Sequence, residues 1–218
     1  LEPVAVVGSP ETAGTPYDES RWSLDEERPP PSDLIIAGLD NLPSLIEEFK
    51  SLGVRIIFSA LPDEPAERVE RNLAAAGFLV VSHAQIHRLF PNIRLIVPEV
   101  NFSDLKLLEK QFDTADGRLI SCSNCTVAPI AITLAPLMKI CRISSVRIAT
   151  EQALSGGGRK LLAKAHSGEL IASEIPGEAE SVVNELTKIL SSDFHIEAEC
   201  KRVPRDHGHY ARIQVEFE

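Results

Sequence analysis

Short apolar runs alternate with amphipathic helical stretches throughout the first half of the chain. The clearest unit is an apolar run at 54–60, followed by helical spacing over 64–76 that Gly77 ends. Strands that alternate with helices favour a parallel sheet covered by helices on both faces. The same alternation predicts strands at 3–7, 33–37, 78–82, 94–97 and 118–121, and helices at 42–52 and 103–112. We therefore predict a parallel α/β domain over residues 1–121, with a polar loop at 23–32.

The pattern changes after residue 121. A long apolar helix is predicted over 126–140, and an amphipathic helix with an acidic start over 178–190. Between and after them lie a predicted strand at 144–150, a glycine loop at 155–158, and strands at 193–201 and 209–217. Fewer helical crossovers favour a mixed or antiparallel sheet. We therefore predict a second domain of α+β type over residues 122–218.

Charge and cysteine content exclude several classes of protein. A net charge of −10, without any Lys- or Arg-rich run, argues against a nucleic-acid partner, whose phosphates require a basic face. The apolar stretch at 126–138 is too short to span a bilayer and contains Pro129 and Pro136. The 4 cysteines are too few for a disulfide scaffold in a chain of 218 residues. We therefore expect a cytoplasmic protein without a membrane segment.

Two cysteines, Cys122 and Cys125, lie three positions apart. Cys125 falls where a predicted strand ends and a helix begins, and the free N–H groups of a helix start favour a thiolate nucleophile. A structural thiol is an equal alternative, because cysteine is often a small buried apolar residue. A zinc site is the third alternative, with His207 and His209 completing the ligand set. The spacing alone leaves these alternatives open.

A second polar cluster occupies residues 202–209, between two predicted strands. It contains two arginines and two histidines, and a histidine is the side chain best suited to proton transfer near neutral pH. An arginine can bind a carboxylate through two parallel hydrogen bonds. Gln152 stands just before the glycine loop, where it could contact a substrate. A solvated surface loop is the simpler alternative for such a polar stretch.

Six motifs, in order along the chain, together resemble the aspartate-semialdehyde dehydrogenase family. The most specific is SNCT at 123–126, which resembles the family's nucleophile motif. The others are FSALP at 58–62, RLFPNIRLIVPEVN at 88–101, EQALSGGG at 151–158, IPGEAESVVNELTKIL at 175–190 and KRVPRDHGHY at 201–210. The resemblance implies an incomplete Rossmann-type parallel-sheet domain for binding NAD(P) at 1–121. It also implies an α+β catalytic and dimerisation domain with a mixed sheet at 122–218.

The resemblance implies a role for each residue at a motif position. Cys125 would be the nucleophile, His209 the acid/base and Gln152 the residue that orients the substrate. The implied substrate ligands are Arg202 for a carboxylate, Glu178 for an amino group, and Arg88 and Asn101 for phosphate. The implied cofactor contacts are Ser9, Thr12, Ser59, Ala60, Leu61, Ser155 and Gly156. No metal is implied.

The implied reaction interconverts aspartate 4-semialdehyde and aspartyl 4-phosphate through a thioacyl group on Cys125. It uses NADP and inorganic phosphate, and belongs to the biosynthesis of lysine, threonine and methionine. A homodimer or homotetramer is implied as well, with the strands of the second domain at the subunit interface.

The chain departs from the family pattern at several positions. The family's glycine-rich first βα unit would precede Leu1, and its C-terminal part would follow Glu218, so we expect a chain that is incomplete at both ends. Glu11 and Thr15 stand where the family offers cations to the 2′-phosphate of NADP, which leaves NAD open. Ser181 replaces an expected phosphate-binding lysine, and His83 replaces an expected asparagine.

These departures leave two alternatives to the dehydrogenase. The first is an acyl-CoA reductase of the malonyl-CoA type, since HGHY at 207–210 resembles that branch and a CoA substrate needs no inorganic phosphate. The second is a degenerate relative or fragment without catalytic activity that acts as a binding partner.

Overall fold

Two separate strand assemblies of the first half and one sheet of the second half organise the molecule. The computed structural model describes residues 3–19, 27, 33–108 and 118–218. Apart from Glu27, the predicted polar loop at 23–32 lies outside the described residues, as does the end of the predicted helix 103–112.

The named strands of the first half all pair in parallel, within the residues that the structure describes, and one isolated antiparallel bridge joins Pro16 and Ile35. The strands β3, β4, β5 and β6 form a sheet in the order β3-β4-β6-β5, and β1 pairs with β2 beside it. The strands are Val6–Val7 (β1), Ile36–Ala37 (β2), Ile56–Ser59 (β3), Leu79–Ser82 (β4), Arg94–Ile96 (β5) and Leu119–Cys122 (β6). The helices are Leu42–Ser51 (α1), Asp63–Ala75 (α2), Pro98–Asn101 (α3) and Ser103–Leu108 (α4). The predicted parallel α/β architecture is confirmed.

Local sequence explains where the first two long helices form. Asn41 precedes α1, and its side-chain oxygen accepts a hydrogen bond from the Ser44 amide at 3.2 Å, which satisfies one free donor of the helix start. In α2, Asp63 and Glu64 lie in the first turn, where the helix dipole favours negative charge. Both helices bury an apolar stripe in one core, which contains Leu45, Phe49, Val69, Leu73, Phe78 and Val80.

The second half is built on a three-stranded mixed sheet in the order β8-β7-β9. Its central strand β7 (Ile143–Gln152) pairs in parallel with β8 (His195–Arg202) and antiparallel with β9 (Tyr210–Phe217). Helices α5 (Val127–Ile140) and α7 (Glu178–Leu190) cover one face, and α6 (Gly158–His166) follows the glycine loop. The mixed sheet agrees with the prediction from the sequence.

The two halves share part of one apolar core. Leu95 of β5 and Val97 just after it are buried in the same cluster as Ile130, Leu134 and Leu186 from the second half. Strand β5 lies at the edge of the parallel sheet, next to α7. The shared core fixes α7 against the parallel sheet, and residues from both halves meet at its N-terminal end.

The helix α6 was not predicted from the sequence. None of its residues is buried, and its apolar side chains Leu161, Leu162 and Ala165 are only partly covered. The described residues contain no helix with the length and apolar character needed to cross a bilayer.

Candidate active site

Cys125 lies in a short turn that joins β6 to α5. The helix begins at Val127, so the cysteine precedes it by two residues. The side-chain oxygen of Asn124 accepts hydrogen bonds from the amide and the hydroxyl of Thr126, both at 2.8 Å. The cysteine is therefore held between an asparagine and a threonine that are bonded to each other across it.

The thiol of Cys125 is exposed, but its environment opposes ionisation. Desolvation by the surrounding protein and then the negative charge of Glu178 raise its pKa above the ordinary range. Backbone N–H groups of the turn and Arg88 act in the opposite direction with smaller effects. The prediction that the helix start makes Cys125 a thiolate is therefore wrong for the free protein. Desolvation and Glu178 outweigh the backbone N–H groups at the helix start.

Glu178 connects the cysteine turn with the end of β7. One carboxylate oxygen accepts hydrogen bonds from the Gln152 side chain at 2.7 Å and from the Asn124 side chain at 3.0 Å. Glu178 opens α7, and the preceding Gly177 adopts φ 73°, a conformation that side-chain-bearing residues rarely accept. The structure thus brings together the predicted residues Gln152 and Glu178 beside Cys125.

His209 and Arg202 both bind the backbone of Ala153. The Ala153 amide donates to Nδ1 of His209 at 3.0 Å, and Arg202 donates to the Ala153 carbonyl at 3.0 Å. Burial and the charges of Arg202 and Arg205 lower the pKa of His209 below its ordinary value. Because Nδ1 accepts a hydrogen bond, the neutral ring carries its hydrogen on Nε2. His209 therefore presents a hydrogen-bond donor from Nε2.

A pocket of about 230 Å³ links the cysteine turn with His209. Thr126, the residue after Cys125, lines one part, and His209 and Tyr210 line another. The apolar part of the wall comes from Pro129, Ile130, Thr133, Ala211 and Ile213. His209 and Thr126, the residue after Cys125, thus border a common space that is open to small molecules.

Two backbone hydrogen bonds join the start of the glycine loop to the loop between β8 and β9, which carries His209. The amide of Leu154 donates to the Arg205 carbonyl at 2.8 Å, and the amide of Ser155 donates to the Asp206 carbonyl at 3.0 Å. A Cβ added to Gly156 would lie 2.9 Å from a ring carbon of His209 and 3.1 Å from a guanidinium nitrogen of Arg202. Gly156 is therefore needed for the close approach of both side chains. Its predicted cofactor contact, like that of Ser155, stays a prediction.

Replacing Gly156 with alanine is expected to displace both neighbouring side chains by several tenths of an ångström. We expect kcat/KM of the proposed reaction to fall by about 100-fold, because small misplacements of catalytic groups have effects of that size. Steady-state kinetics checks this result, and thermal unfolding should show little change. Gly168→Ala is a suitable control, since nothing lies within 4 Å of the added carbon although φ is 87° there. Equal losses in the two variants would contradict the steric explanation.

Arg88 reaches the site from the parallel-sheet half of the molecule. It pairs with Glu185 at 3.1 Å, and the Ser181 hydroxyl donates to the same carboxylate oxygen at 3.0 Å. Glu185 therefore neutralises Arg88, which was predicted as a phosphate ligand. At position 181, where the family resemblance leads one to expect a lysine, the serine adds no positive charge.

The structure does not bring Asn101 to the cluster. Its side-chain oxygen accepts from the Val97 amide at 2.9 Å, and its amide donates to the Leu95 carbonyl at 2.9 Å and to Asp104 at 3.3 Å. The side chain is buried and stabilises the turn between β5 and α3. Its predicted contact with phosphate remains a prediction, without support from these hydrogen bonds.

The predicted cofactor residues lie at the carboxyl ends of parallel strands, where open α/β sheets bind their ligands. Ser59 ends β3 in register with Ser82 of β4, which is in turn paired with Ser121 of β6. Ser121 is buried and its hydroxyl has no partner. Ala60 and Leu61 follow Ser59, and the Leu61 amide donates to the Ser59 hydroxyl at 3.5 Å. The Ser59 and Ser82 hydroxyls are buried and interact with Glu70, so the turn at Ala60 and Leu61 is the part of this edge that fits a dinucleotide.

The loop after β1 offers hydroxyl groups and a negative charge. Ser9 and Thr12 lie close together, with their hydroxyl oxygens 3.5 Å apart. A hydrogen bond with Ser9 lowers the pKa of Glu11, so that this exposed carboxyl is ionised at neutral pH. These groups suit ribose hydroxyls, whereas Glu11 repels a 2′-phosphate. Thr15 donates its hydroxyl to the Thr12 carbonyl at 2.7 Å and adds no cation.

The metal alternative for the cysteine pair finds no support in the described part of the chain. Within it, no group of three His, Cys, Asp or Glu side chains is arranged to hold a metal ion. All 4 cysteines are free thiols, and His207 is exposed, two positions before His209.

Three residues of the site were missed from the sequence: Asn124, Glu185 and Lys188. Asn124 is adjacent to the predicted nucleophile, and the other two lie on α7 after Glu178. For Glu185 and Lys188, the spacing of apolar residues in α7 could have indicated a position near the buried face. Glu185 and Lys188 fall on the same side as Val182 and Ile189, whose apolar character marks the buried face.

Residues 1–108 match the family model described as semialdehyde dehydrogenase, NAD binding domain. An aspartate-semialdehyde dehydrogenase of Archaeoglobus fulgidus is 35% identical over 180 residues, which are 78% of this chain and 52% of that protein. A malonyl CoA reductase (NADP) of Metallosphaera sedula is 33% identical over 180 residues, which are 75% of this chain and 50% of that protein. The chain spans about half the length of these curated relatives.

A solved structure shares the fold of nearly the whole chain. The aspartate semialdehyde dehydrogenase of Candida albicans, solved with NADP, superposes with a TM-score of 0.82 at 26% identity. The match covers 99% of this chain and 64% of that one. The sequence motifs, the two-part α/β architecture and these matches agree with one another. The chain belongs to the aspartate-semialdehyde dehydrogenase family.

Proposed function

We propose that this protein interconverts aspartate 4-semialdehyde and aspartyl 4-phosphate with a nicotinamide cofactor, in the biosynthesis of aspartate-derived amino acids. The observation that carries the proposal is the pairing of Glu178 with both Gln152 and Asn124, beside Cys125. His209 lines a pocket together with Thr126, the residue after Cys125, and Arg202 binds the Ala153 backbone beside His209. The site thus combines a thiol, a proton-transfer group and a cation for an anionic substrate.

In the proposed reaction, the Cys125 sulfur attacks the aldehyde carbon and the thiol proton passes to the aldehyde oxygen, so that a hemithioacetal with a hydroxyl group forms. His209 first donates a hydrogen bond from Nε2 to the substrate oxygen. For the ring to accept the hydroxyl proton at Nε2, its own hydrogen must be on Nδ1, which requires loss of the bond from the Ala153 amide. A nicotinamide cofactor, held by the residues named below, would supply the hydride acceptor for this oxidation, and Cys125 would then carry a thioester. Inorganic phosphate then cleaves the thioester and restores the thiol.

The substrate ligands follow from the charges of the site. Arg202 would bind the substrate carboxylate, since its guanidinium lies next to His209 at the glycine loop. Glu178 would bind the amino group, exchanging one of its two amide donors for the ammonium. We propose that Ser9, Thr12, Ser59, Ala60, Leu61, Ser155 and Gly156 hold the cofactor. The cofactor is NADP in this proposal, with NAD as the alternative that Glu11 favours, and the protein is a homodimer or homotetramer.

A second candidate is reduction of an acyl-CoA of the malonyl-CoA type. The observation in its favour is that Glu185 neutralises Arg88 while Ser181 stands at the expected lysine position. Both features weaken binding of a free phosphate anion but leave room for a thiol acceptor. The similarity to the relative from Metallosphaera sedula, which bears the name malonyl CoA reductase, also supports this candidate.

Oxidation of aspartate 4-semialdehyde by the purified protein separates the candidates. Inorganic phosphate and free CoA are supplied in parallel as acyl acceptors, each with NADP and with NAD, and reduced cofactor is followed by its absorbance. Faster turnover with phosphate supports the dehydrogenase, and faster turnover with CoA supports the reductase. No turnover with either acceptor, together with no binding of either cofactor in a titration, would instead support the non-catalytic alternative.

A further inference from the structure

Glu185 is a fully buried carboxylate on the site-facing side of α7. It accepts hydrogen bonds from Arg88, from the Ser181 hydroxyl and from the backbone amide of Asn124, at 3.1, 3.0 and 2.8 Å. These donors come from three separate segments of the chain. A buried carboxylate is stable only when such donors satisfy it, so its position fixes theirs.

The bond to the Asn124 amide acts directly on the nucleophile turn. The peptide that Glu185 holds is one residue before Cys125. The side chain of Asn124 is bonded on one side to Glu178 and on the other to Thr126. In the turn that carries Cys125, Glu185 therefore binds the backbone amide of Asn124, and Glu178 binds the Asn124 side chain.

Lys188, one helical turn after Glu185, fixes the segment that carries Arg88. Its ammonium donates to the carbonyls of Arg88, Phe90 and Ile93 at 2.8, 2.7 and 2.8 Å. These are all the donors that a lysine possesses. Burial and the charge of Arg94 lower the pKa of Lys188 to about 8. The backbone around Arg88 and the guanidinium of Arg88 are thus both bonded to side chains of α7.

We propose that Glu185 is a positioning residue: it holds the turn of Cys125 and the guanidinium of Arg88 in fixed relation to the substrate pocket. Glu185 itself touches no substrate in this arrangement. It acts through the Asn124 peptide on the nucleophile and through Arg88 on the phosphate or acyl end of the substrate. The expected change in kcat rests on the proposed function, whereas the expected change in the alkylation rate of Cys125 does not.

The test uses Glu185→Asp in the purified protein, with Glu180→Asp as the matched control. Aspartate keeps the buried negative charge but is one methylene shorter, so it cannot reach Arg88 and the Asn124 amide together. Glu180 lies on the exposed face of the same helix. The alkylation rates of Cys125 and Cys122 by iodoacetamide are measured by peptide mass spectrometry across pH, alongside kcat and thermal unfolding.

We expect Glu185→Asp to speed alkylation of Cys125 at a fixed pH by at least about threefold, the change that half a pKa unit produces. The reason is that a loosened turn lets the thiol move away from Glu178 and from the protein groups that desolvate it. Both of these raise its pKa in the wild type. Cys122, whose pKa Arg88 also lowers, should change much less than Cys125 and in the opposite direction if Arg88 moves away. We expect kcat to fall at least about tenfold. The Glu180→Asp protein should match the wild type in every measurement.

Wild-type alkylation of Cys125 in a folded Glu185→Asp protein would overturn the inference. So would an equal change at Cys122, since that would indicate general loosening of the fold. If Glu185→Asp does not fold, Ser181→Ala replaces it, because it removes one donor and leaves the buried charge in place. A selective but smaller acceleration at Cys125 is then expected, and its absence would overturn the inference. A wild-type protein without turnover would refute the proposed function, while the alkylation rates would still decide the role of Glu185.

Discussion

Replacing Cys125 with serine is expected to reduce kcat by at least about 1000-fold, as removal of the nucleophile does in other covalent enzymes. A hydroxyl at this position would need a much stronger base than a thiol to become a nucleophile. Loss of cofactor reduction in a steady-state assay is the measurement. The variant should keep its cofactor affinity, because the predicted cofactor contacts lie on other segments of the chain.

Cys122 supplies the matched control for this substitution. It is half-buried at the end of β6, and desolvation raises the pKa of its thiol. A nucleophile there would be less accessible than the exposed Cys125. We expect Cys122→Ser to retain nearly all activity. Equal losses in the two variants would rule out a unique role for Cys125.

The pH dependence of alkylation in the wild-type protein tests whether the pKa of Cys125 is raised. Because the pKa of Cys125 is raised, its thiolate forms only at higher pH than in an ordinary cysteine. The rate of alkylation should therefore still be increasing above about pH 8.5, where a free cysteine is half-ionised. A plateau below that pH would show that the thiolate is stabilised in the free protein.

Replacing His209 with asparagine is expected to lower kcat by about 100-fold to 10,000-fold, the usual contribution of a positioned acid or base. The asparagine oxygen can still accept the hydrogen bond from the Ala153 amide, which His209 Nδ1 accepts at 3.0 Å. The local fold should therefore persist while proton transfer is lost. The pH dependence of kcat/KM checks the assignment, since the lowered pKa of His209 places its titration below that of an ordinary histidine.

His207 provides the control for His209. It is exposed and two residues away, on the same loop. Asparagine at position 207 should leave both kcat and its pH dependence unchanged. A similar loss at the two positions would mean that the loop as a whole, rather than the imidazole of His209, supports turnover.

The architecture could be predicted from the sequence for those elements whose buried apolar residues recur at regular spacing. The helix α7 was predicted at its observed bounds, because its apolar residues recur at helical spacing and Gly177 precedes it. The parallel sheet followed from alternating strands and helices. The helix α6 could not be predicted in this way, since it buries no side chain.

The site could be predicted less completely than the fold, because its residues act through contacts that the sequence does not display. Glu185 and Lys188 look like ordinary charged positions, yet one is fully buried and the other binds three carbonyls. The pKa of Cys125 was predicted in the wrong direction, since a helix start was visible in the sequence but desolvation was not. Asn101 was assigned to phosphate by its motif, whereas the structure shows its side chain bonded within a turn.

The covalent adduct on Cys125 is the most direct test of the proposed chemistry. The purified protein is mixed with aspartate 4-semialdehyde and oxidised cofactor, without phosphate or CoA, and quenched in acid. Peptide mass spectrometry should then find an acyl group on Cys125, absent from the Cys125→Ser protein and lost when the acyl acceptor is added before quenching. An acyl group on Cys122 instead, or turnover without any adduct on Cys125, would contradict the assignment of the nucleophile.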